Sequence, residues 1–201
     1  MSDKGHPVIA AVLDVVMFSL RKPRARLVAE ARGKVLEIGV GTGLNFRHYN
    51  GIESLEGIEP DPHMLARAQK RAARRPFPVN LQRCGAEALP FADATFDTVV
   101  GTWVLCTIPE YEQALKEMLR VLKPGGRLLF VEHTRSRFRR AEALQDQLTP
   151  VWRKVAGNCH LNRDSLTHLR STGFDDIDIQ PLGRESWTLF PMYRGSAVKP
   201  G

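Results

Sequence analysis

Short apolar runs alternate with amphipathic stretches over the first two thirds of the chain. Runs rich in aliphatic and β-branched residues predict five buried strands, at 35–38, 54–59, 79–83, 96–102 and 127–133. Apolar positions at helical spacing predict helices between them, at 45–49, 64–75 and 109–122. Asp61 is the expected N-cap of the first long helix, with Pro62 at its first position. This rhythm indicates an α/β protein with a parallel, doubly wound sheet.

The last third of the chain departs from strict alternation. Helices are predicted at 141–155 and 162–172, and strands at 176–180 and 193–199. We expect one strand of this pair to enter antiparallel at the sheet edge, giving a seven-stranded, mostly parallel sheet with helices on both faces. The chain 1–201 is then one domain. It divides into an N-terminal helical lid (1–30), a ligand-binding core (31–135) and substrate-side helices with the final strand pair (136–201).

Composition narrows the range of functions. The 201 residues include three cysteines, an odd number without metal-like pairing, which favours a reducing compartment and a cytoplasmic location. The net charge is +7. The basic residues are dispersed and no aromatic residues are interleaved with them, which argues against a nucleic-acid partner.

The apolar stretch 8–20 is too short to span a bilayer and contains Asp14. We interpret it as a helix that packs over the domain or covers a ligand cleft. Because basic residues follow it at 21–26, peripheral contact with an anionic membrane surface is the alternative.

The first strand ends in a loop with glycines at alternate positions, Gly39, Gly41 and Gly43. Such a loop lets the backbone turn sharply and approach a ligand closely. A dinucleotide fingerprint requires a further small residue at position 44 or 46, and both positions hold bulky side chains. No Lys-Ser/Thr pair follows, which excludes a phosphate-binding P-loop.

The carboxyl ends of parallel strands meet at one edge of such a sheet, so candidate binding residues can be read from the strand ends. Glu59 ends the second strand, where its carboxylate is expected to accept hydrogen bonds from ribose hydroxyls. Asp61 caps the following helix, which leaves Glu59 free for this role. The full set of candidate ligand-binding residues is Glu37, Gly39, Gly41, Gly43, Glu59, Pro60, Met64, Gly85, Ala86, Glu87, Thr102 and Val104.

These strand-end motifs, in this order and spacing from about 33 to 133, resemble those of the class I S-adenosylmethionine (SAM) dependent methyltransferases. The resemblance implies a Rossmann-like fold, SAM as cofactor and S-adenosylhomocysteine as product. It also makes residues 31–135 the SAM-binding core. Glu37 is then expected to orient the methionine end of SAM, directly or through water.

Further motifs resemble the methyltransferase-like 7 proteins, which are alkyl-thiol S-methyltransferases. They lie at 102–106, 131–133, 150–152, 158–165 and 185–187. This resemblance implies methylation of hydrogen sulfide or a small thiol by in-line transfer. The animal members carry a long hydrophobic N-terminal anchor, and this chain departs from them at that point. Their membrane placement is therefore not expected for this chain on the basis of the resemblance.

His133, at the end of the fifth strand, is the first candidate for removing or orienting the acceptor proton, and His160 is the second. A structural histidine is the alternative for His133. No metal is expected, because the spacing of Cys106, Cys159 and the two histidines matches no zinc pattern. Two other functions remain open: phosphatidylethanolamine N-methylation, and a SAM-binding regulatory or nucleic-acid-associated protein without turnover.

Overall fold

The structure is a computed structural model that describes residues 21–183 and 189–201. In these residues seven strands form one sheet, in the order β3-β2-β1-β4-β5-β7-β6. The strands are β1 (Gly33–Ile38), β2 (Ile52–Ile58), β3 (Val79–Gln82), β4 (Phe96–Thr102), β5 (Leu122–His133), β6 (Asp175–Pro181) and β7 (Met192–Val198). The predicted seven-stranded, mostly parallel Rossmann-like sheet is therefore confirmed.

Strand order reverses between β1 and β4, and the first five strands are mutually parallel. The antiparallel strand is β7, which pairs with β5 on one side and β6 on the other. The sequence led us to expect the antiparallel strand at the sheet edge. In the structure the edge strand is β6, and β7 lies inside the sheet. Burial explains the order, because Gly195, Ser196 and Ala197 of β7 are buried whereas β6 is almost wholly exposed. The aspartates Asp175, Asp176 and Asp178 of β6 suit a sheet edge that must not pair further.

Helices cover both faces of the sheet. They are α1 (Arg21–Val28), α2 (Pro62–Ala72), α3 (Tyr111–Val121), α4 (Arg139–Val155) and α5 (His168–Thr172), with a 3-10 turn at Phe46–His48. Side chains of α1 and α2 enter one hydrophobic cluster, and those of α3 and α5 enter the other, across the sheet. None of the helices among the described residues has the length and apolarity needed to cross a membrane.

The ends of the helices follow local hydrogen bonding. Asp61 caps α2 as expected, accepting from the backbone N–H groups of His63 and Met64. The helix predicted at 162–172 is wrong over its first half, since α5 begins only at His168. Upstream of it the carbonyl of Arg163 accepts from Thr134, and Asp164 accepts from Thr167. Such local side-chain bonds compete with helix formation.

Most of the predicted lid, residues 1–20, lies outside the described residues. Its described end, α1, packs on the sheet through the buried Leu27 and Val28. The backbone N–H of Arg32 then donates to Thr98 in β4, and the Thr98 hydroxyl donates back to the carbonyl of Arg32. These bonds fix the entry of the chain into β1, from which the glycine loop follows.

Candidate active site

The glycine loop after β1 has left-handed backbone at all three predicted positions, with φ of +64° at Gly39, +54° at Gly41 and +81° at Gly43. A Cβ on Gly39 would lie 2.5 Å from Val104, and one on Gly43 would lie 2.6 Å from Phe46. Nothing lies within 4 Å of a Cβ on Gly41. Gly39 and Gly43 therefore serve close packing, whereas the backbone of Gly41 borders open space that a ligand can enter.

Glu59 lies directly against this loop. Its Oε2 accepts the backbone N–H of Gly41 at 2.9 Å, and its Oε1 accepts that of Asp61 at 2.9 Å. Burial raises the pKa of this carboxyl, and the two N–H groups oppose the rise. The sequence led us to expect a free Glu59 carboxylate. In the structure, hydrogen bonds from two loops hold it instead. A carboxylate has about four acceptor sites, so two remain for the hydroxyls of a ligand.

Glu37 lies beneath the loop, 1 % exposed. Its two oxygens accept from the Asn45 amide at 2.8 Å and the Tyr49 hydroxyl at 2.8 Å. Burial raises the pKa of Glu37 to about 7. The Asn45 amide also donates to the Thr102 hydroxyl at 3.1 Å, which ties β1, the loop and β4 together. The roles of Asn45 and Tyr49 were not predicted from the sequence, although a buried carboxylate requires hydrogen-bond donors.

The remaining predicted binding residues lie at the ends of the neighbouring strands. At β2 and β3, the Pro60 carbonyl accepts from Arg83, and the Glu59 N–H donates to Gln82 at 3.1 Å. Beyond β3, Ala86 is buried, and a Cβ on Gly85 would lie 2.5 Å from the Glu87 carboxylate. Met64 lies in the first turn of α2, and Val104 packs on Gly39 beyond β4. Together these residues form one continuous edge beside the glycine loop.

Past β4 the chain forms a second feature, which we call the acceptor loop, residues 103–108. Trp103 has a left-handed φ of +52°, which is strained for a bulky residue. Its N–H donates to the carbonyl of Val131 at 2.7 Å. Glu132 Oε1 accepts the N–H groups of Val104 at 2.7 Å and Leu105 at 2.9 Å. Glu132 therefore positions the loop, a role that the sequence reading did not assign to it.

Glu132 is fully buried, and burial raises its pKa to about 7. Only one of its oxygens is used by the acceptor loop. Its Oε2 has no hydrogen-bond partner among the described residues. A buried oxygen left in this way costs free energy, so Glu132 adds a polar, energetically expensive group to this end of the sheet.

A third feature, the clasp (residues 158–163), holds the acceptor loop from the tail. The Arg163 guanidinium donates to the carbonyls of Leu105, at 2.8 Å, and Ile108. The Asn158 amide donates to the carbonyl of Thr107 at 2.9 Å. The backbone N–H of His160 donates to the Cys106 carbonyl at 2.9 Å, and its Nδ1 lies 3.1 Å from the same oxygen. The clasp thus brings residues far apart in the chain to the ends of β4 and β5.

His133 lies where these features meet and is 5 % exposed. Its Nε2 is 3.0 Å from the Cys159 sulfur. Burial lowers the pKa of His133, but the adjacent Cys159 outweighs this and the net shift is upward. His160, the second candidate, has its Nδ1 against the Cys106 carbonyl, and burial followed by the Arg163 charge lowers its pKa. The structure therefore joins His133, and not His160, to a sulfur.

Cys106 completes a compact group with His133 and Cys159. The two sulfurs and an imidazole nitrogen lie within 4.8 Å of one another. A hydrogen bond from Cys106, and then His133, holds the pKa of Cys159 well below its usual range, whereas that of Cys106 is raised. The spacing argument against a metal overlooked this convergence, since positions distant in sequence meet at the strand ends.

Aromatic side chains flank this group. The ring of Phe190 lies 6.0 Å from that of His133 and 5.4 Å from that of Trp152, both edge-on. The motif at 185–187, which was part of the thiol-methyltransferase resemblance, lies outside the described residues. The described tail nevertheless supplies aromatic side chains beside His133.

These observations define the class. A glycine loop open at Gly41, a carboxylate at the end of β2 and the strand order 3-2-1-4-5-7-6 fit SAM, whose ribose and methionine would be held by Glu59 and the loop backbone. A methyltransferase domain family matches residues 36–130. The chain is a SAM-dependent methyltransferase.

Comparison with individual proteins narrows the family. Thiol S-methyltransferase TMT1B of Rattus norvegicus is 31 % identical over 172 residues, which cover 82 % of this chain and 70 % of the relative. The chain belongs to the family of these thiol S-methyltransferases. Phosphatidylethanolamine N-methyltransferase of Cereibacter sphaeroides is 40 % identical over 116 residues, 55 % of this chain and 57 % of the relative. The crystal structure of the YcgJ protein of Bacillus subtilis superposes with a TM-score of 0.67 at 18 % identity, covering 93 % and 99 % of the two chains, and supports the fold alone.

Proposed function

We propose that this enzyme transfers the methyl group of SAM to the sulfur of hydrogen sulfide or a small alkyl thiol. The extent of the likeness to the thiol methyltransferase carries the proposal. That likeness covers 82 % of the chain, more than the SAM-binding core can account for, so it includes much of the acceptor side. The phosphatidylethanolamine enzyme matches over 55 %, about the size of the core.

The chemistry of the acceptor side agrees with a sulfur nucleophile. In the transfer the acceptor sulfur bonds to the methyl carbon as the carbon–sulfur bond of the sulfonium breaks. The electron pair stays on the departing S-adenosylhomocysteine, and the thiol loses its proton. Because a thiol ionises near pH 8–9, the protein need only assist this loss and hold the two reactants in line.

Named residues divide this work. Glu59 and the backbone of Gly41 hold the donor, and Glu37 supports the loop from below. His133 is our candidate for receiving or orienting the acceptor proton, since its imidazole already pairs with a sulfur at 3.0 Å. His160, which contacts the Cys106 carbonyl of the acceptor loop, is retained as the second candidate.

A SAM-consumption assay tests the proposal. The purified chain is incubated with SAM and, separately, sulfide, small alkyl thiols, phosphatidylethanolamine vesicles and transfer RNA. We expect S-adenosylhomocysteine with sulfide, which gives methanethiol, and with the alkyl thiols, which give methyl thioethers, but not with the vesicles or the transfer RNA. A Glu59→Ala variant is the control for turnover at this site. Tight SAM binding without turnover on any acceptor would instead favour the regulatory alternative.

Phosphatidylethanolamine N-methylation is the second candidate function. It is favoured by the 40 % identity to the bacterial enzyme and by the basic residues 21–26 next to the apolar stretch 8–20. Co-sedimentation with anionic vesicles, by the full chain and by a chain lacking residues 1–20, separates the two. Truncation-sensitive binding together with lipid methylation would support the lipid acceptor.

A cytoplasmic location, with at most peripheral membrane contact, is likewise proposed. The three cysteines are free thiols in the structure, which suits a reducing compartment. Cell fractionation tests the location, and recovery with an integral-membrane marker after carbonate washing would overturn it.

A further inference from the structure

Three metal-binding side chains converge at the carboxyl ends of β4 and β5. Cys106 comes from the acceptor loop, His133 from the last position of β5, and Cys159 from the clasp. Their ligand atoms all lie within 4.8 Å of one another, a span over which one ion can bind all three. Cys106 is 2 % exposed and Cys159 is partly buried, so the group is largely sheltered from solvent.

The surrounding hydrogen bonds hold the backbone on both sides of Cys106 in place before any ligand arrives. Arg163 and Asn158 fix the carbonyls on either side of Cys106, and Glu132 fixes the loop from the sheet side. Asn158, next to Cys159, has a left-handed φ of +67°, and the clasp therefore turns sharply just before the cysteine. The backbone that carries Cys106 and Cys159 is therefore fixed, which favours a preorganised metal site.

The donor set also selects the ion. Two thiolates and an imidazole prefer a thiophilic cation such as Zn²⁺ over Mg²⁺ or Ca²⁺, which prefer oxygen. A structural zinc site has four protein ligands, whereas catalytic sites have three and keep the fourth position for a water or substrate. Three such ligands are grouped within the described ranges 21–183 and 189–201, which corresponds to the catalytic arrangement.

We propose that Cys106, His133 and Cys159 bind Zn²⁺ and that the fourth position receives the sulfur of the acceptor thiol. The proposal rests on thiol methylation for the identity of that fourth ligand, but not for the three protein ligands. A thiol that coordinates a metal loses its proton, which passes to solvent. The bound thiolate keeps a lone pair for attack on the methyl carbon. His133 then acts as a ligand and not as the proton acceptor.

Metal binding is tested without SAM and without turnover. The full chain, purified under reducing conditions and stripped with a chelator, is titrated with Zn²⁺ and with Co²⁺. We expect one equivalent of either ion per chain and, for Co²⁺, sulfur-to-metal charge-transfer absorption with the ligand-field bands of a four-coordinate site. Cys106→Ser and Cys159→Ser should each remove about half of that charge-transfer intensity, and His133→Gln should weaken affinity by at least about tenfold.

Cys84→Ser is the matched control, because Cys84 is the third free cysteine and lies away from the group, beyond β3. Its titration should match that of the wild type. Circular dichroism and S-adenosylhomocysteine binding are measured on every variant, so that lost metal affinity is not mistaken for unfolding. Equal loss in Cys84→Ser, or no stoichiometric Zn²⁺ in the folded wild type, would overturn the site, as would a Cys106–Cys159 disulfide that persists under reductant.

The outcomes for this site and for the proposed function are separable. One bound Zn²⁺ without turnover of any thiol would leave the site standing and remove the thiol methyltransferase activity. Thiol turnover that survives complete metal removal would keep the proposed function and overturn the coordination of the acceptor sulfur, and His133 would then return as the candidate for handling the proton. If addition of a thiol shifts the Co²⁺ spectrum, the acceptor occupies the fourth position.

Discussion

The carboxyl edge of the sheet has two sides that are built differently. On the cofactor side, at β1 and β2, the proposed binding groups come from one strand–loop–strand unit, in which the Glu59 carboxylate accepts the backbone N–H of Gly41 in the glycine loop. On the acceptor side, at β4 and β5, sulfur and imidazole groups arrive from three separate segments joined by the clasp. The first side is therefore fixed by local sequence, whereas the second exists only after the tail has docked.

Two alanine substitutions separate packing from ligand access on the cofactor side. Both Gly39→Ala and Gly41→Ala place a side chain at positive φ, which costs about 1–2 kcal/mol. Gly39→Ala adds a contact of 2.5 Å with Val104 and should lose about 1–3 kcal/mol more. Urea unfolding should therefore rank Gly39→Ala as clearly less stable.

Gly41→Ala should instead lose SAM affinity, by about tenfold or more, because its methyl group enters the open space beside the loop. Isothermal titration with S-adenosylhomocysteine measures this. Equal affinity in Gly41→Ala and wild type would mean that the ligand does not approach this backbone.

The second prediction concerns pH and the buried Glu37. Its pKa rises from 4.5 to about 7 on folding, so folding favours the protonated form. The stability associated with this proton is fully present below about pH 4.5 and is lost as pH rises to about 7, a change on the order of 3 kcal/mol. Glutamine does not titrate, so the free energy of unfolding of Glu37→Gln lacks this pH dependence.

Unfolding free energies of Glu37→Gln and the wild type, measured without ligand at pH 5 and pH 8, test this. The difference should shift in favour of Glu37→Gln as the pH rises. A pH-independent difference would show that Glu37 titrates normally in the folded chain.

The third prediction tests the acceptor side alone. Arg163→Gln removes the donors to Leu105 and Ile108, so the acceptor loop should lose its fixed position relative to β5. We expect kcat/KM for a thiol to fall by about 10- to 100-fold, because misplaced reactants lose the advantage of alignment. SAM affinity should stay within about twofold, since no cofactor-side bond is changed.

Arg194→Gln is the matched control for this substitution, because Arg194 donates to the exposed Gln180 of the edge strand β6 and not to the acceptor loop. It should leave both constants close to wild type. Parallel loss of SAM affinity and turnover in Arg163→Gln would show that the two sides are not independent.

The smallest effect is expected for Cys84→Ser, whose cysteine is partly buried and outside the group of Cys106, His133 and Cys159. The free energy of unfolding should change by no more than about 0.5 kcal/mol. Thiol turnover should change by no more than the rate factor to which that free energy corresponds. Steady-state kinetics with a thiol acceptor, measured on Cys84→Ser and Cys159→Ser in parallel, compares the two variants directly. Similar losses in the two variants would indicate that any cysteine, and not this group, supports activity.

The same contrast explains what could be predicted from the sequence. The positions of the five parallel strands, the glycine loop, the place of Glu59 after the second strand and the Asp61 cap were readable because period, turn residues and capping are local signals. The acceptor side was not, because contacts such as Cys159 with His133 depend on tertiary packing. Spacing in sequence cannot show that positions 106, 133 and 159 meet. The edge position of β6 was missed for a related reason, since burial of β7 decides it.

The internal place of β7 has a consequence for how the chain folds during synthesis. The edge strand β6 is made before β7, yet it pairs only with β7. While a ribosome has emitted the chain only as far as Pro181, β6 has no neighbour and β5 presents an open edge. Nascent chains stalled at this length are therefore expected to expose β5 amides to rapid hydrogen exchange. A chaperone that binds unpaired strand edges should recognise them until Met192–Val198 emerges.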